Sequence, residues 1–313
     1  MMLALILSSF FTVVQLNCEN LFDYQNDSLK ADEEFLPESY KHWTKSRYWR
    51  KLNNIGKVII ACGEDGERWK LPDVVGLCEV ENDSVLRDLT QRSLLRKAGY
   101  KYVMTESPDE RGIDVAFLYS PFTFLLVTSY ALRVETIKGM RPTRDILYVK
   151  GRVRSGDSLH VFVVHAPSRA GESTHTHPFR MQVAKRLGAA VDSIRSDEPH
   201  AHILLMGDFN DGGKAPALKW LTEQSLIDVS ATAKGRNGAM ATYRYQGEWE
   251  SLDHIFVSQK IYEKMRDCYI YDADFLLEDD AVYGGKRPRR TYLGAKYIGG
   301  YSDHLPLVAR FMW

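Results

Sequence analysis

Gly300-Tyr301-Ser302-Asp303-His304-Leu305-Pro306-Leu307 leads into the last apolar run of the chain, which ends near Phe311. Glycines before it and aliphatic residues after it place the Ser-Asp-His triplet on a loop that feeds a final strand. On a strand, adjacent Asp303 and His304 would point to opposite faces. On the loop before a strand, both can face one cleft. There Asp303 can bind a divalent cation or orient water, and His304 can take a proton from that water. Alone, the triplet also fits a solvated turn, so its meaning depends on what stands upstream.

Four further polar signals end apolar runs. Phe11 to Leu16 ends at Asn17 with Glu19, and Pro72 to Cys78 delivers Glu79. Leu159 to Val164 delivers His165, and His202 to Met206 ends at Gly207-Asp208-Phe209-Asn210. Each alone has a bland reading: an edge residue for Glu79, a core histidine for His165, an Asx turn for Asp208 to Asn210. Together they describe a site where strands end and loops begin. Oxygen ligands from separate strands suit a hard cation, Mg²⁺ or Mn²⁺, rather than zinc. Two histidines beside such a site suit phosphate-ester hydrolysis.

The rest of the chain bounds this reading. Its 313 residues allow one large domain or two ordinary ones, and 44% are hydrophobic. Lys plus Arg equals Asp plus Glu at 41 each, so phosphate recognition must be local rather than a global positive field. The four cysteines lack C-x-x-C spacing, which argues against zinc and redox motifs. A disulfide between Cys18 and Cys78 is left open. Met1 to Val14 is apolar but too short to span a membrane. Residues 1–10 are read as the remnant of an export signal or a frayed start, with export to periplasm or medium expected over a cytoplasmic location. Residues 11–313 are read as a single domain.

Helical spacing covers Tyr48 to Cys62, Ser84 to Lys97 with Asn82 as N-cap, and Pro178 to Ile194. Residues 24 to 46 read as loop. Strands are expected over Tyr100–Thr105, Ile113–Tyr119, Phe122–Val134, Asp145–Val153 and Ser251–Val257. Strands from end to end with three or four helices make an α/β fold of two packed sheets with helices outside.

The motifs, in order, resemble the endonuclease/exonuclease/phosphatase family, the DNase I-like superfamily, from Asn17 to Phe311. Leu16-Asn17-Cys18-Glu19-Asn20 is similar to its first-strand motif, and Gly76-Leu77-Cys78-Glu79-Val80 to its Q-E-V motif with Cys78 in place of Gln. Val164-His165-Ala166-Pro167, Gly207-Asp208-Phe209-Asn210 and Tyr301-Ser302-Asp303-His304 follow. The resemblance implies a four-layer α/β/β/α sandwich with mostly antiparallel sheets. It implies Glu79 as principal metal ligand, with Asn17 and Asp303 assisting. It implies Asp253, in Ser251-Leu252-Asp253-His254, as the carboxylate that orients His304. Asp114 is expected to orient His165 in the same way. Arg144, in Pro142-Thr143-Arg144-Asp145, resembles an arginine that contacts phosphate.

The expected reaction is Mg²⁺-dependent hydrolysis, with Mn²⁺ as alternative. His304 acts as base, Asp208 and Asn210 position water or phosphoryl oxygens, and His165 and Arg144 face the developing charge. Arg169 and Arg180 after His165, and the basic loop Lys286-Arg287-Pro288-Arg289-Arg290, are the expected phosphate-gripping regions. A nuclease is the favoured reading, ahead of a phosphatase or diesterase of a sugar, inositol or lipid phosphate. A non-catalytic phosphate binder comes last. The expected partner is the phosphoester substrate, nucleic acid included, acted on by a monomer. Endo versus exo action and one or two metals are left open.

Overall fold

The computed structural model describes residues 10–64, 69–169 and 173–313, without the side chains of Ser173 and Thr174. The expected export remnant therefore lies, except for Phe10, outside the described residues. In order the elements are β1 (Phe10–Leu21), α1 (Lys45–Ala61), β2 (Val74–Val80), α2 (Asp83–Gln91), β3 (Lys101–Met104), β4 (Asp114–Tyr119), β5 (Phe124–Leu132), β6 (Ile146–Val153) and β7 (Ser158–His165). Then come α3 (Ser173–Asp197), β8 (His202–Asp208), α4 (Pro216–Glu223), β9 (Ile227–Asp228), the ribbon β10 (Tyr243–Tyr245) and β11 (Glu248–Glu250), β12 (Asp253–Val257), α5 (Gln259–Tyr262) and β13 (Met265–Ile270). The ribbons β14 (Leu277–Asp279) with β15 (Lys286–Pro288) and β16 (Tyr292–Leu293) with β17 (Lys296–Tyr297) precede β18 (Leu307–Met312).

Two six-stranded sheets form, ordered β13-β18-β1-β2-β4-β3 and β5-β6-β7-β8-β12-β9. Each is antiparallel except for one central parallel pair, β1 with β2 and β7 with β8. A parallel pair needs a long crossover, and α1 and α3 supply them. Period-two alternation then divides the second sheet between two cores. Leu147, Val149, Val161, Val163, Leu204 and Met206 face the first sheet. Their neighbours Ile146, Tyr148, Phe162, Val164, Ile203 and Leu205 face α3 and α4. Helices α1 and α2 cover the outside of the first sheet through residues such as Leu52, Ile55, Val85 and Leu89. This is the expected four-layer sandwich. Fully burying each such aliphatic side chain contributes roughly 1.5–3 kcal/mol.

The element boundaries differ from the sequence reading where local chemistry intervenes. The helix expected over Ser84 to Lys97 stops at Gln91, because the Ser93 hydroxyl accepts from Leu95 N at 3.1 Å and starts a short 3-10 turn. Asn82 does cap α2, accepting from Val85 N at 2.9 Å. Helix α3 begins before Pro178 rather than at it, since a proline removes only one helical hydrogen bond near an end. The sequence reading leaves α4 and β13 unassigned. All four cysteines are free thiols. Asn17 pairs with Cys78 across β1 and β2, so alternation turns Cys18 to the other face and keeps the two thiols apart.

Candidate active site

The C-terminal ends of both parallel pairs meet at one edge of the sandwich. Asn17 closes the regular β1–β2 ladder before a register shift and Glu79 is the penultimate residue of β2, while His165 and Asp208 end β7 and β8 as register partners. Gly207 is required just before Asp208, because a Cβ there would lie 1.9 Å from Val164 O. Glu79 interrupts the β2–β4 ladder with a register shift and takes a left-handed φ of 62°. The bulge turns its side chain out of the alternation and into the cleft. Asn20 and Asn210 are also left-handed, at 56° and 51°, as is Glu19 at 51°.

Asp208 is the hub. Its Oδ2 accepts from Asn17 Nδ2 at 3.0 Å, and its Oδ1 accepts from Asn210 N at 2.8 Å. His165 Nε2 lies 3.7 Å and His304 Nε2 3.9 Å from Oδ2. His165 Nε2 is also 3.8 Å from Glu79 Oε1. The expected partnership of Asp253 and His304 is present: His304 Nδ1 lies 2.7 Å from Asp253 Oδ2. Ser302 steadies the loop, donating to Asn17 O at 2.7 Å and accepting from His304 N at 3.1 Å. Behind it, buried Lys51 donates to Thr291 Oγ1 and Tyr301 O, both at 2.6 Å. The next residue, His254, braces the Asp208–Asp211 turn from below. Its Nδ1 meets Asp228 Oδ2 at 2.9 Å and its Nε2 meets Asp211 O at 3.0 Å.

Several expected site residues do other work. Asp114 does not reach His165. Its carboxylate accepts from Thr105 Oγ1 at 2.5 Å and Ser107 N at 3.0 Å, which closes the turn before β4. His165 Nδ1 is buried without a hydrogen-bond partner. Arg144 is buried, paired with Asp109 at 3.0 Å and donating to Ala166 O at 2.6 Å, so it holds the backbone after His165 rather than facing the cleft. Arg180 is buried beside Asp211, with Nε 2.8 Å from Oδ2. Arg169 does line the cleft but pairs with Glu250. In the basic loop, Lys286 pairs with Asp279 at 2.8 Å and Arg287 with Glu278 at 2.9 Å across their ribbon. Arg290 bonds Asp303 Oδ2 at 2.7 Å. Residues 170–172, which follow Arg169, lie outside the described residues.

The cleft encloses about 570 Å³ and is lined by Glu79, Asp208, both histidines, and two residues the sequence reading passed over. Arg111, in the turn before β4, is half exposed beside Asp109 at 3.4 Å. Tyr243 lays its ring 4.8 Å from that of His304, centroid to centroid. The sequence signal for Arg111 was its place in a polar turn next to Asp114; Tyr243 carried none. Among the described residues, no group of three or more His, Cys, Asp and Glu side chains converges as a metal cluster.

Burial, opposed by His304 and reinforced by Asp253 directly across the ladder, pushes Asp208 from 3.8 up to about 7. Burial works against charge on His304, but Asp253 and Asp208 outweigh it and hold the imidazolium well above 6.5. Both groups bind protons more tightly in the folded chain than in the unfolded one, so stability falls as pH rises through these ranges. Glu81, raised to about 8 mainly by burial, has the same sign. His165 is held well below 6.5 by burial and by Arg144 and Arg111, and its opposite slope ends at 6.5. The midpoint of thermal unfolding of the metal-free protein should therefore fall as pH rises from 6.5 through about 8, and fall less in His304→Ala. A flat or rising midpoint in the wild type would contradict this charge arrangement.

Comparisons with known proteins agree with this architecture. No curated protein matches the chain. An endonuclease/exonuclease/phosphatase family protein from Bacteroides thetaiotaomicron superposes with a TM-score of 0.65 at 16% identity, over 96% of this chain and 97% of that one. A mannosyl-6-phosphatase of the same organism gives 0.62 at 16% identity, over 97% and 100% of the two chains. The human Nocturnin catalytic domain with bound sulfate gives 0.59 at 17% identity, over 96% and 94%. At these identities the likeness shows the fold. A sequence model of the Endonuclease/Exonuclease/phosphatase family matches residues 12–312. The chain thus belongs to the endonuclease/exonuclease/phosphatase family, a group of phosphoester hydrolases that generally use divalent metals.

Proposed function

We propose that the protein is a divalent-metal-dependent phosphoesterase that cleaves phosphodiesters, with nucleic acid as its first substrate class. The observation that carries this is the convergence of Glu79, His165, Asp208 and His304, from both sheets, on one open cleft. Tyr245, half exposed, and Tyr243 stand at its rim, where bases can stack.

The donor set fits Mg²⁺ or Mn²⁺. Glu79 Oε2 accepts from Asn20 N at 2.8 Å, while Oε1 faces the cleft. A hard cation held by one or two carboxylates keeps several waters, which matches Glu79 and Asp303 lining one cleft with no carboxylate cage among the described residues. Asn17, tied to Asp208 and to Glu19 N at 2.9 Å, assists by fixing Asp208. When bound, the cation neutralises charge on the phosphoryl oxygens.

His304 donates Nδ1–H to Asp253, which leaves Nε2 to take a proton from water. Asp208 and Asn210 orient that water. His165, kept neutral by burial and by Arg144 and Arg111, donates to a phosphoryl oxygen, and Arg111 takes the charge-facing role expected of Arg144. One observation favours a second reading, a phosphomonoesterase of a small head group: the basic ribbon is neutralised by its own acids. Incubation with Mg²⁺ or EDTA and with oligonucleotides, plasmid DNA, RNA and phosphomonoesters separates these readings. Chelatable cleavage of nucleic acid is expected, with a shallow salt dependence that neutralising Lys286 and Arg287 leaves unchanged. Phosphate release from monoesters alone would favour the second reading. No hydrolysis at all would leave a phosphate-binding protein.

A further inference from the structure

The end of the sandwich opposite the cleft carries large apolar and basic side chains that the chemistry of the site does not use. Strand β1 runs from Phe10 at that end to Asn17 at the site, roughly 25 Å at about 3.3 Å per residue. We infer that this far end docks on the surface of an anionic lipid bilayer. Such docking is independent of the reaction in the cleft.

The turn between β4 and β5 forms one corner of the surface. Phe122 and Leu125 are 82% and 64% exposed there, although both are large and apolar. Leu125 stands opposite Arg152 across β5 and β6, and Arg154 follows β6. Lys101 opens β3 opposite Tyr119, the last residue of β4. Lys101, Arg152 and Arg154 are exposed, and none has an ion-pair partner among the described residues. Asp157, the acid of this corner, accepts from Ser155 Oγ at 2.8 Å and from Trp313 Nε1 at 2.9 Å. Through Trp313 the corner continues to the start of β1. The Trp313 ring lies 5.5 Å from that of Phe11, and Met312 is the register partner of Phe10. Arg266, exposed, sits 5.2 Å over the Phe10 ring, and Lys264 5.4 Å over that of Trp313. Lys70 donates to Phe10 O at 3.2 Å, and its neighbour Trp69 is 57% exposed. Exposed acids at this end, Glu64 and Asp197, follow α1 and close α3.

The mixture of side chains selects the occupant. Phenylalanine, leucine and tryptophan standing in water among lysines and arginines suit the boundary of head groups and acyl chains: the apolar groups enter it and the cations meet lipid phosphates. A nucleic-acid backbone would engage the cations and leave Phe122 and Leu125 in water. In a two-fold contact the patch would meet itself and set its cations against their own copies. The chain adds apolar length at the same place. Residues 1–9, Met-Met-Leu-Ala-Leu-Ile-Leu-Ser-Ser, carry no charge and join the fold at Phe10. No helix among the described residues is long and apolar enough to cross a membrane, so the contact is with the bilayer surface. The cleft then faces away, and the lipid is a support rather than the phosphoester in the cleft.

The test sediments the full chain with vesicles of phosphatidylcholine alone and of phosphatidylcholine mixed with phosphatidylglycerol. Wild type should bind the mixed vesicles more tightly, and salt should weaken that binding. Each basic residue near such a surface contributes roughly fivefold, so Arg152→Gln with Arg154→Gln should weaken it about tenfold or more. Phe122→Ser with Leu125→Ser should weaken it by about the same factor. All four positions except Phe122, which lies in a turn, are on strand surfaces, and unchanged unfolding midpoints check the fold. A further arm leaves the corner intact: bromine-labelled acyl chains should quench wild-type tryptophan fluorescence, and quench it less in Trp69→Phe. No binding to mixed vesicles would overturn the surface. Equal binding to both kinds of vesicle, unchanged in both double variants, would assign the attachment to residues 1–9 and overturn it as well. A dimer lost in both double variants, without vesicle binding, would give the surface to a second copy instead.

Discussion

His304→Ala should lower kcat/KM by about 10²–10⁴ while leaving the protein folded, because it removes the group placed to accept a proton from water. The residue is buried and its Nδ1 is committed to Asp253 at 2.7 Å, so only Nε2 remains for that task. Asp253→Asn should lose activity through the same proton: an amide cannot hold the imidazolium as a carboxylate does, and it permits the wrong tautomer. The double variant should therefore lose little more than the worse single one. In the wild type, kcat/KM should fall as pH drops, because only neutral imidazole accepts a proton. With Asp253 and Asp208 holding the charge, that limb should lie above the ordinary histidine value. The limb should vanish in His304→Ala. Additive losses, or an unchanged limb in His304→Ala, would assign water activation to another group.

Glu79→Gln is the second large effect expected. It keeps the shape of the side chain and its bond to Asn20 N but removes the charge that anchors the cation. Charge neutralisation by a bound metal supplies several kcal/mol of transition-state stabilisation, so activity should drop on the order of a hundredfold or more at limiting Mg²⁺. Binding gives an independent readout: Mg²⁺ or Mn²⁺ should raise the unfolding midpoint of the wild type and raise it much less in the variant. Equal stabilisation of both proteins would remove Glu79 from the metal site.

Much of this arrangement was legible in the sequence, for a definite reason. A motif residue at the end of a buried parallel strand has few places to go, and Asn17, His165 and Asp208 went there. The pairing of Asp253 with His304 also emerged, since β12 lies beside β8 and sets Asp253 opposite Asp208. Charged side chains with several possible partners were harder to place. Arg144 found Asp109 and Arg180 found Asp211, contacts that depend on how distant segments cross, while Lys286 found Asp279 across its own ribbon. Asp114 was misread because a carboxylate opening a strand serves its own turn before it serves a residue from another sheet. Arg111 escaped notice because its place in the cleft depends on where the turn points.

Glu79, Asn210 and their neighbours Glu19 and Asn20 hold backbone conformations that side-chain-bearing residues avoid. Such residues cost of order 1–3 kcal/mol each, less where asparagine tolerates the left-handed region. Among the described residues, four of the seven non-glycine positions in the left-handed region fall at this edge, and glycine would relax it at 79 or 210. Evolution toward heat resistance, if screened only for folding, should drift there first. Glycine at 79 or 210 would be retained as a gain, and the resulting proteins would be more robust and chemically silent.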